Sequence, residues 1–278
     1  MANIKASIII PTKDKLARLR LVLKFLENQI TDEIEVIIIF DGCCPETIDS
    51  FRAYPFSFNP LQIICMRNNG RSAARNLGIK LARGKLIIFL DDDRIPCEDF
   101  IQKHLEGQKE PCVLLGQRRD VYLTDNEIQN LFFVTDQTQR YRQITDKAIV
   151  AEESVPKIRR RLLFQPGGSL GWMTFFTGNV SVPKNDLIEA GCFDEKFQGW
   201  GHEDLELGYR LHKKGVRFQK SDILNYHLSH RSNTKEQFRD SRKNLKYMIK
   251  KCRGDMRANL ILRAMLAKVY LERVIDFR

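Results

Sequence analysis

The chain has 278 residues, room for one large domain or two modest ones, and its 43% hydrophobic and 29% charged content is ample for a core under an ordinary soluble surface. No run of about 18 apolar residues occurs, which argues against a membrane span, and Met1–Lys5 leads straight into a strand pattern with no leader-like apolar region. The formal net charge of +11 suits an anionic partner, whether nucleic acid, an anionic membrane or a phosphate-bearing ligand, while seven cysteines without C-x-x-C spacing read as reduced thiols of a cytoplasmic protein.

Residues 6–10 predict a short buried strand stopped by Pro11. Leu16, Leu19, Val22, Leu23, Phe25 and Leu26 recur at helical spacing and predict a helix over 15–29. Residues 35–40 predict a second strand ending at Asp41-Gly42, and 61–66 a third. A helix over 71–83 closes at Gly84. Residues 85–90 form a fourth apolar strand that runs into Asp91-Asp92-Asp93, and 112–116 a fifth. Strands alternating with helices, apolar throughout, imply an α/β fold with a mostly parallel central sheet flanked by helices. A dinucleotide-binding fold needs G-x-G-x-x-G after the first strand; Pro11-Thr12-Lys13-Asp14 stands there instead, which argues against NAD or FAD.

The three aspartates sit where ligands bind in an open parallel sheet, at the carboxyl end of a strand. Extended chain would point Asp91 and Asp93 one way and Asp92 the other. Crowded carboxylates repel, and a hard cation relieves that repulsion. A polar turn before a helix starting near Pro96, Glu98 and Asp99 is the competing reading, and the stretch alone leaves both open. Asp41 likewise fits either a nucleoside contact or a turn before glycine.

The second half begins with a mixed helical pattern over 126–149. A basic loop follows over 157–168, with Arg159-Arg160-Arg161, either a solvated charge run or a loop that closes over a diphosphate. Residues 177–183 read as turn then strand, and 186–190 as a short helix ended by Gly191. In Gly199-Trp200-Gly201-His202-Glu203-Asp204, glycines flank an aromatic and two acids open a helix. Acids there complement the helix dipole, which would also favour an ionised Asp204. Short strands over 216–218 and 223–224 lead to Tyr226-His227 and His230. The tail over 235–278 is helical in pattern, with thirteen Lys or Arg against five Asp or Glu. It suits packing on the main domain, pairing with another chain in a homo-oligomer, or lying peripherally on an anionic membrane face.

Taken in order, Ser7–Thr12, Asp41, Gly70–Gly78, Leu90–Asp93, Gly178-Asn179, Gly199–Asp204 and Tyr226-His227 resemble the family 2 glycosyltransferases of the GT-A fold. The C-terminal half resembles the galactosyltransferase type, with motifs like those of chondroitin polymerases and β1,4-galactosyltransferases. The resemblance covers about residues 5–231. It implies a GT-A domain over 1–231, with a nucleotide-binding half (1–120) and an acceptor-binding half (121–231), and a basic helical extension over 232–278. It implies an inverting, metal-dependent transfer of a sugar, N-acetylhexosamine or galactose, from a UDP-sugar to an acceptor hydroxyl. Glycan, lipid-linked, peptide and small-molecule acceptors stay open.

Residue by residue, Pro11, Thr12, Asp41, Arg75, Asp91 and Asp92 match donor-binding positions. Asp93 and His227, with His230 as the alternative to His227, match ligands of Mn²⁺ or Mg²⁺. Asp204 matches the general base and Glu203 its acceptor-contacting neighbour. Trp200, Gly199, Gly178 and Asn179 match the sugar and acceptor side. Related enzymes often carry Gly-Trp-Gly-Gly-Glu-Asp, and His202 departs from that pattern. The rival from another class, a basic nucleic-acid-binding protein, has no recognisable binding motif in the chain, so no nucleic acid is expected.

Overall fold

The computed structural model describes residues 3–149, 170–230 and 234–275. The strands among them are β1 (Ala6–Thr12), β2 (Ile34–Asp41), β3 (Leu61–Cys65), β4 (Leu86–Phe89), β5 (Arg94–Pro96), β6 (Val113–Val121), β7 (Ala148–Ile149), β8 (Val180–Pro183) and β9 (Phe218–Leu228). They form one sheet in the order β3-β2-β1-β4-β8-β6-β9-β5, with β7 on the flank of β6. From β3 to β4 every pairing is parallel. β8 then enters antiparallel to both β4 and β6, so the sheet is mixed beyond β4.

The apolar runs of β1 and β2 need cover on both faces, and they receive it. Ile8, Ile10 and Phe40 point to one layer, where the Leu16–Leu26 and Pro45–Arg52 helices supply Leu19, Leu23, Phe25 and Phe51. Ile9, Ile37 and Ile39 point to the other, against Ala74 and Ile79 of the Arg71–Leu81 helix and Leu207 and Leu211 of the Glu203–Lys213 helix. A third cluster joins Trp172, Phe197 and Leu205 to Leu245, Met248 and Leu262 of the C-terminal helices Thr234–Lys251 and Met256–Ile275. No helix among the described residues is long and apolar enough to cross a membrane.

Several expectations change. β1 continues through Pro11 to Thr12. Ile9 presents its carbonyl to Leu90 N–H on the β4 side, and Pro11, two residues on, faces the same side beyond the end of β4. The missing proline N–H therefore has no partner to lose. The two short strands expected over 216–224 are one strand, β9, which reaches Leu228 and carries His227. The mixed helical pattern over 126–149 resolves into two helices. Asp125–Phe133 is capped by a Thr124–Glu127 capping box, and Gln137–Lys147 by Asp136. Pro96 ends β5, and the helix expected there starts at Phe100. The basic loop over 157–168 lies outside the described residues.

Candidate active site

β4 ends at Phe89, and Arg94 N–H bonds back to Asp91 carbonyl at 3.2 Å. The aspartate trio is therefore a turn, and the alternating directions expected of an extended chain are not observed. Asp91 turns to Arg75, at 3.1 Å. Asp92 and Asp93 share the Lys15 ammonium, at 3.3 and 2.9 Å. Thr12 donates its hydroxyl to Asp92 at 2.8 Å. Because β1 and β4 are parallel neighbours, residues at and just after the end of β1 arrive beside the trio; this is how Thr12 and Lys15 reach it.

Burial acts against ionised Asp92 and Asp93, and the neighbours decide which stays charged. Burial raises the Asp92 carboxyl to about 6, with Lys15 opposing and Asp93 adding to the rise. Burial also opposes charge on Asp93, but His230, Lys15 and Arg94 outweigh it and hold its pKa well below the usual carboxylate range. Lys15 loses solvation too, yet Asp92 and Asp93 raise its pKa.

Asp93, His227 and His230 offer ligand atoms that lie within 4.8 Å of one another. His230 Nε2 is 3.2 Å and His227 Nε2 3.9 Å from Asp93 Oδ2, so the structure brings both histidines to the aspartate. Asp120 on β6 accepts from His227 Nδ1 at 2.7 Å. That bond fixes the proton on Nδ1 and leaves the Nε2 lone pair facing Asp93, the arrangement found behind metal-bound histidines. Desolvation, then Arg94, lowers the His227 pKa and favours the neutral, ligating form. Two imidazoles and a carboxylate fit a divalent transition ion such as Mn²⁺ better than Mg²⁺. Asp120 and Lys15 were not singled out from sequence. Lys15 was within reach of the argument, since it follows the first strand of a parallel sheet. Asp120 gave no local signal.

The acid pair comes from the other side. Arg75, 3% exposed, sends Nη1 to Glu203 at 3.1 Å and Nη2 to Asp91 at 3.1 Å. It thereby ties the start of the Glu203–Lys213 helix to the aspartate trio. Asp204 accepts from Leu205 N–H at 2.7 Å. Its carboxyl is pushed up to about 7, first by burial and then by Glu203, with Arg75 opposing. The helix-start position alone had argued for an easily ionised acid; desolvation beside a second carboxylate wins instead.

Other expected residues have different surroundings. Asp41 accepts from Asn69 and Gly70 N–H at 2.8 and 2.9 Å, which anchors the loop before the Arg71–Leu81 helix. Gly178 has φ +121°, and a Cβ there would stand 2.7 Å from Asp91 Oδ2, so its lack of a side chain is what admits Asp91. Asn179 is bonded within the sheet. Its amide donates to the Gln117 and Ile223 carbonyls, both at 3.0 Å, and its oxygen meets His104 at 3.1 Å. These bonds knit β6 and β9 to the start of β8. Trp200 is 41% exposed in the loop preceding Glu203. A cavity of about 680 Å³, lined by Gln29, Glu33, Asp99 and Tyr141 among others, contains none of these groups.

Residues 7–165 match the model of glycosyl transferase family 2, and residues 160–233 that of the N-terminal domain of galactosyltransferase. The uncharacterized glycosyltransferase YfnE of Bacillus subtilis is 28% identical over 89% of this chain and 70% of its own length. Validoxylamine A glucosyltransferase of Streptomyces hygroscopicus is 31% identical over 76% of this chain, which spans about half (52%) of that relative. The mannosyltransferase PcManGT of Pyrobaculum calidifontis, solved with GDP-Man and Mn²⁺, superposes with TM-score 0.64 at 14% identity, over 96% of this chain and 70% of its own. Staphylococcus aureus TarS 1–349 with UDP-GlcNAc gives 0.62 at 15% identity, over 96% and 72%. With the first of these matches covering more than half of the sequence, the chain belongs to glycosyl transferase family 2.

Proposed function

We propose that the protein transfers a sugar from a UDP-sugar to an acceptor hydroxyl with inversion, in a divalent-metal-dependent reaction. The observation that carries this reading is the Arg75 bridge between Asp91 and Glu203, which brings the start of the Glu203–Lys213 helix, where Asp204 stands, to the aspartate trio that supplies Asp93 to the cluster with His227 and His230. The GDP-Man and Mn²⁺ bound to PcManGT and the UDP-GlcNAc bound to TarS support a nucleotide-sugar donor. N-acetylhexosamine or galactose is the sugar we assign.

In this reading Asp93, His227 and His230 would hold Mn²⁺, which when bound offsets the charge that gathers on the departing nucleoside diphosphate. Lys15, Thr12 and Asp91 face the donor. Asp204 accepts the proton of the acceptor hydroxyl as its oxygen forms the bond to the anomeric carbon, and a carboxyl with a pKa near 7 is well matched to that task at neutral pH. Direct displacement with one base inverts the configuration. Glu203, held by Arg75, stays in place beside the acceptor, and Trp200 offers an aromatic face to a sugar ring. Residues 1–231 form the catalytic domain, with 1–120 serving the nucleotide and 121–231 the acceptor.

The test is a screen of UDP-sugars with Mn²⁺ and the full chain, following UDP release with water as acceptor. Release from one or a few donors, lost in Asp93→Ala, supports the reading. Equal thermal stabilisation by UDP with and without Mn²⁺ would overturn the metal dependence.

A further inference from the structure

We propose that the Thr234–Lys251 helix is part of the active-site machinery: through Asp240, Ser241 and Asn244 it sets the shape of the loop over 198–202, and with it the acceptor side of the transfer. The inference rests on the reading of Trp200 and Asp204 as acceptor-side groups.

The loop is an improbable conformation for a free chain. Gly199, Gly201 and His202 have φ of +72°, +89° and +75°. Glycine adopts such angles without strain. For His202, the residue just before the Glu203–Lys213 helix, the left-handed region is strained by its side chain. Something has to hold it there. The imidazole Nε2 lies 2.8 Å from Ser241 Oγ on the C-terminal helix. Burial lowers the His202 pKa to about 4, so the neutral ring makes this bond at physiological pH.

The same helix grips the rest of the loop. Asp240 Oδ2 accepts from Trp200 N–H at 3.2 Å. It also stands 2.0 Å from where a Cβ on Gly199 would be, so Gly199 is bare because Asp240 approaches so closely. Asn244, 2% exposed, turns its Nδ2 toward three carbonyls: Gly201 at 2.8 Å, Gln198 at 3.1 Å and Trp200 at 3.4 Å. An amide nitrogen has two hydrogens, so the two shorter contacts are its full bonds.

Packing needs none of this. Leu245 and Met248 already bury the helix against Phe197 and Leu205, which lie on either side of the loop. Within the loop these polar residues bond the backbone of Gln198, Trp200 and Gly201 and the imidazole of His202. Their effect is to display the Trp200 ring and to fix where the Glu203–Lys213 helix begins, hence where Asp204 stands. The C-terminal extension is thus a positioning element for the reaction.

The test uses the full chain with Asn244→Asp, which keeps the shape but removes both donors, and Ser241→Ala. Amide hydrogen exchange at 199–202 is expected to speed up about tenfold or more in Asn244→Asp; exchange as slow as in the unaltered chain overturns the proposal whatever the enzyme's activity. With the donor found by the screen, UDP release to water is expected to fall about tenfold or more in Asn244→Asp while UDP affinity with Mn²⁺ stays within about twofold. Ser241→Ala leaves an untethered, strained His202 and is expected to lose less, with part recovered by adding His202→Gly, which relieves the strain. Turnover unchanged in both variants, or UDP affinity falling in step with turnover, overturns the proposal. Should Asn244→Asp not fold, unchanged turnover and exchange in Ser241→Ala overturn it alone. An unaltered chain that releases UDP from no donor refutes the proposed function instead, and leaves the exchange result to decide this one.

Discussion

Arg75 and Glu203, 128 residues apart in sequence, meet at 3.1 Å in the interior. The other arm of the same guanidinium holds Asp91. One buried cation thus compensates two acids, one from the turn after β4 and one from the start of the Glu203–Lys213 helix. Removing it leaves buried Glu203 without the cation it bonds, and Asp91 with Arg94 alone. Arg75→Ala is expected to destabilise the fold by about 3–5 kcal/mol, read from denaturant unfolding, and to abolish UDP release. Arg75→Lys offers a single point charge where a fork is used, and is expected to retain stability better than activity.

The Asp120–His227 contact at 2.7 Å makes a different prediction, because Asp120 is not itself among the clustered ligand atoms. Asp120→Ala should weaken Mn²⁺-dependent stabilisation by UDP about 10–100-fold in the apparent metal affinity, with the stability of the chain alone little changed. His227→Ala and His230→Ala should each weaken it more. A thermal-shift titration with Mn²⁺ at fixed UDP distinguishes these outcomes, and an Asp120→Ala titration that overlays the unaltered chain would remove Asp120 from the metal argument.

Asn179 supplies a negative control built into the fold. Its amide satisfies two carbonyls of neighbouring strands and His104, which is fully buried and, through desolvation, has its pKa lowered to about 4. Asn179→Ala would orphan buried polar groups, each at about 1–3 kcal/mol. Calorimetry should show a large loss of stability, while UDP affinity in the protein that remains folded stays unchanged.

What could be read from sequence was whatever has a local signature. The runs of β1, β2 and β4 are apolar because both faces are covered, so they stand out from any window. The Asp91–Asp93 trio is visible as a charge cluster at a strand end. The directions of its members were not, because they depend on the strand stopping at Phe89 and the chain turning. β9 was seen only as fragments: its exposed and buried positions mix Lys220, Asp222 and Asn225 among apolar residues, and its pairing with β6 shifts register between Leu115 and Gln117. Asp120, Asn244 and the reach of Arg75 to Glu203 are contacts across about 40 to 130 residues. Nothing near them in sequence signals such partners, because long-range pairing is decided by the order of strands in the sheet.

The Asp204 carboxyl, raised to about 7, ties activity and stability to pH in opposite senses. In its proposed role as general base it works only when ionised, so kcat/KM should climb about tenfold per pH unit below 7 and level off above it. Stability runs the other way. In the unfolded chain the group ionises near its ordinary value of 3.8, so between about pH 4 and 7 the folded state binds more protons than the unfolded state. Its contribution to stability is therefore fully present below about pH 4 and is lost as pH rises through 7. Asp204→Asn removes that loss together with the base. The variant should show no UDP release while keeping UDP affinity, and its Tm relative to the unaltered chain should rise between pH 5 and pH 8 by a few degrees. A relative Tm that does not change with pH would mean that the Asp204 carboxyl is not raised in the folded state. Retained turnover in the same variant would remove Asp204 as the base.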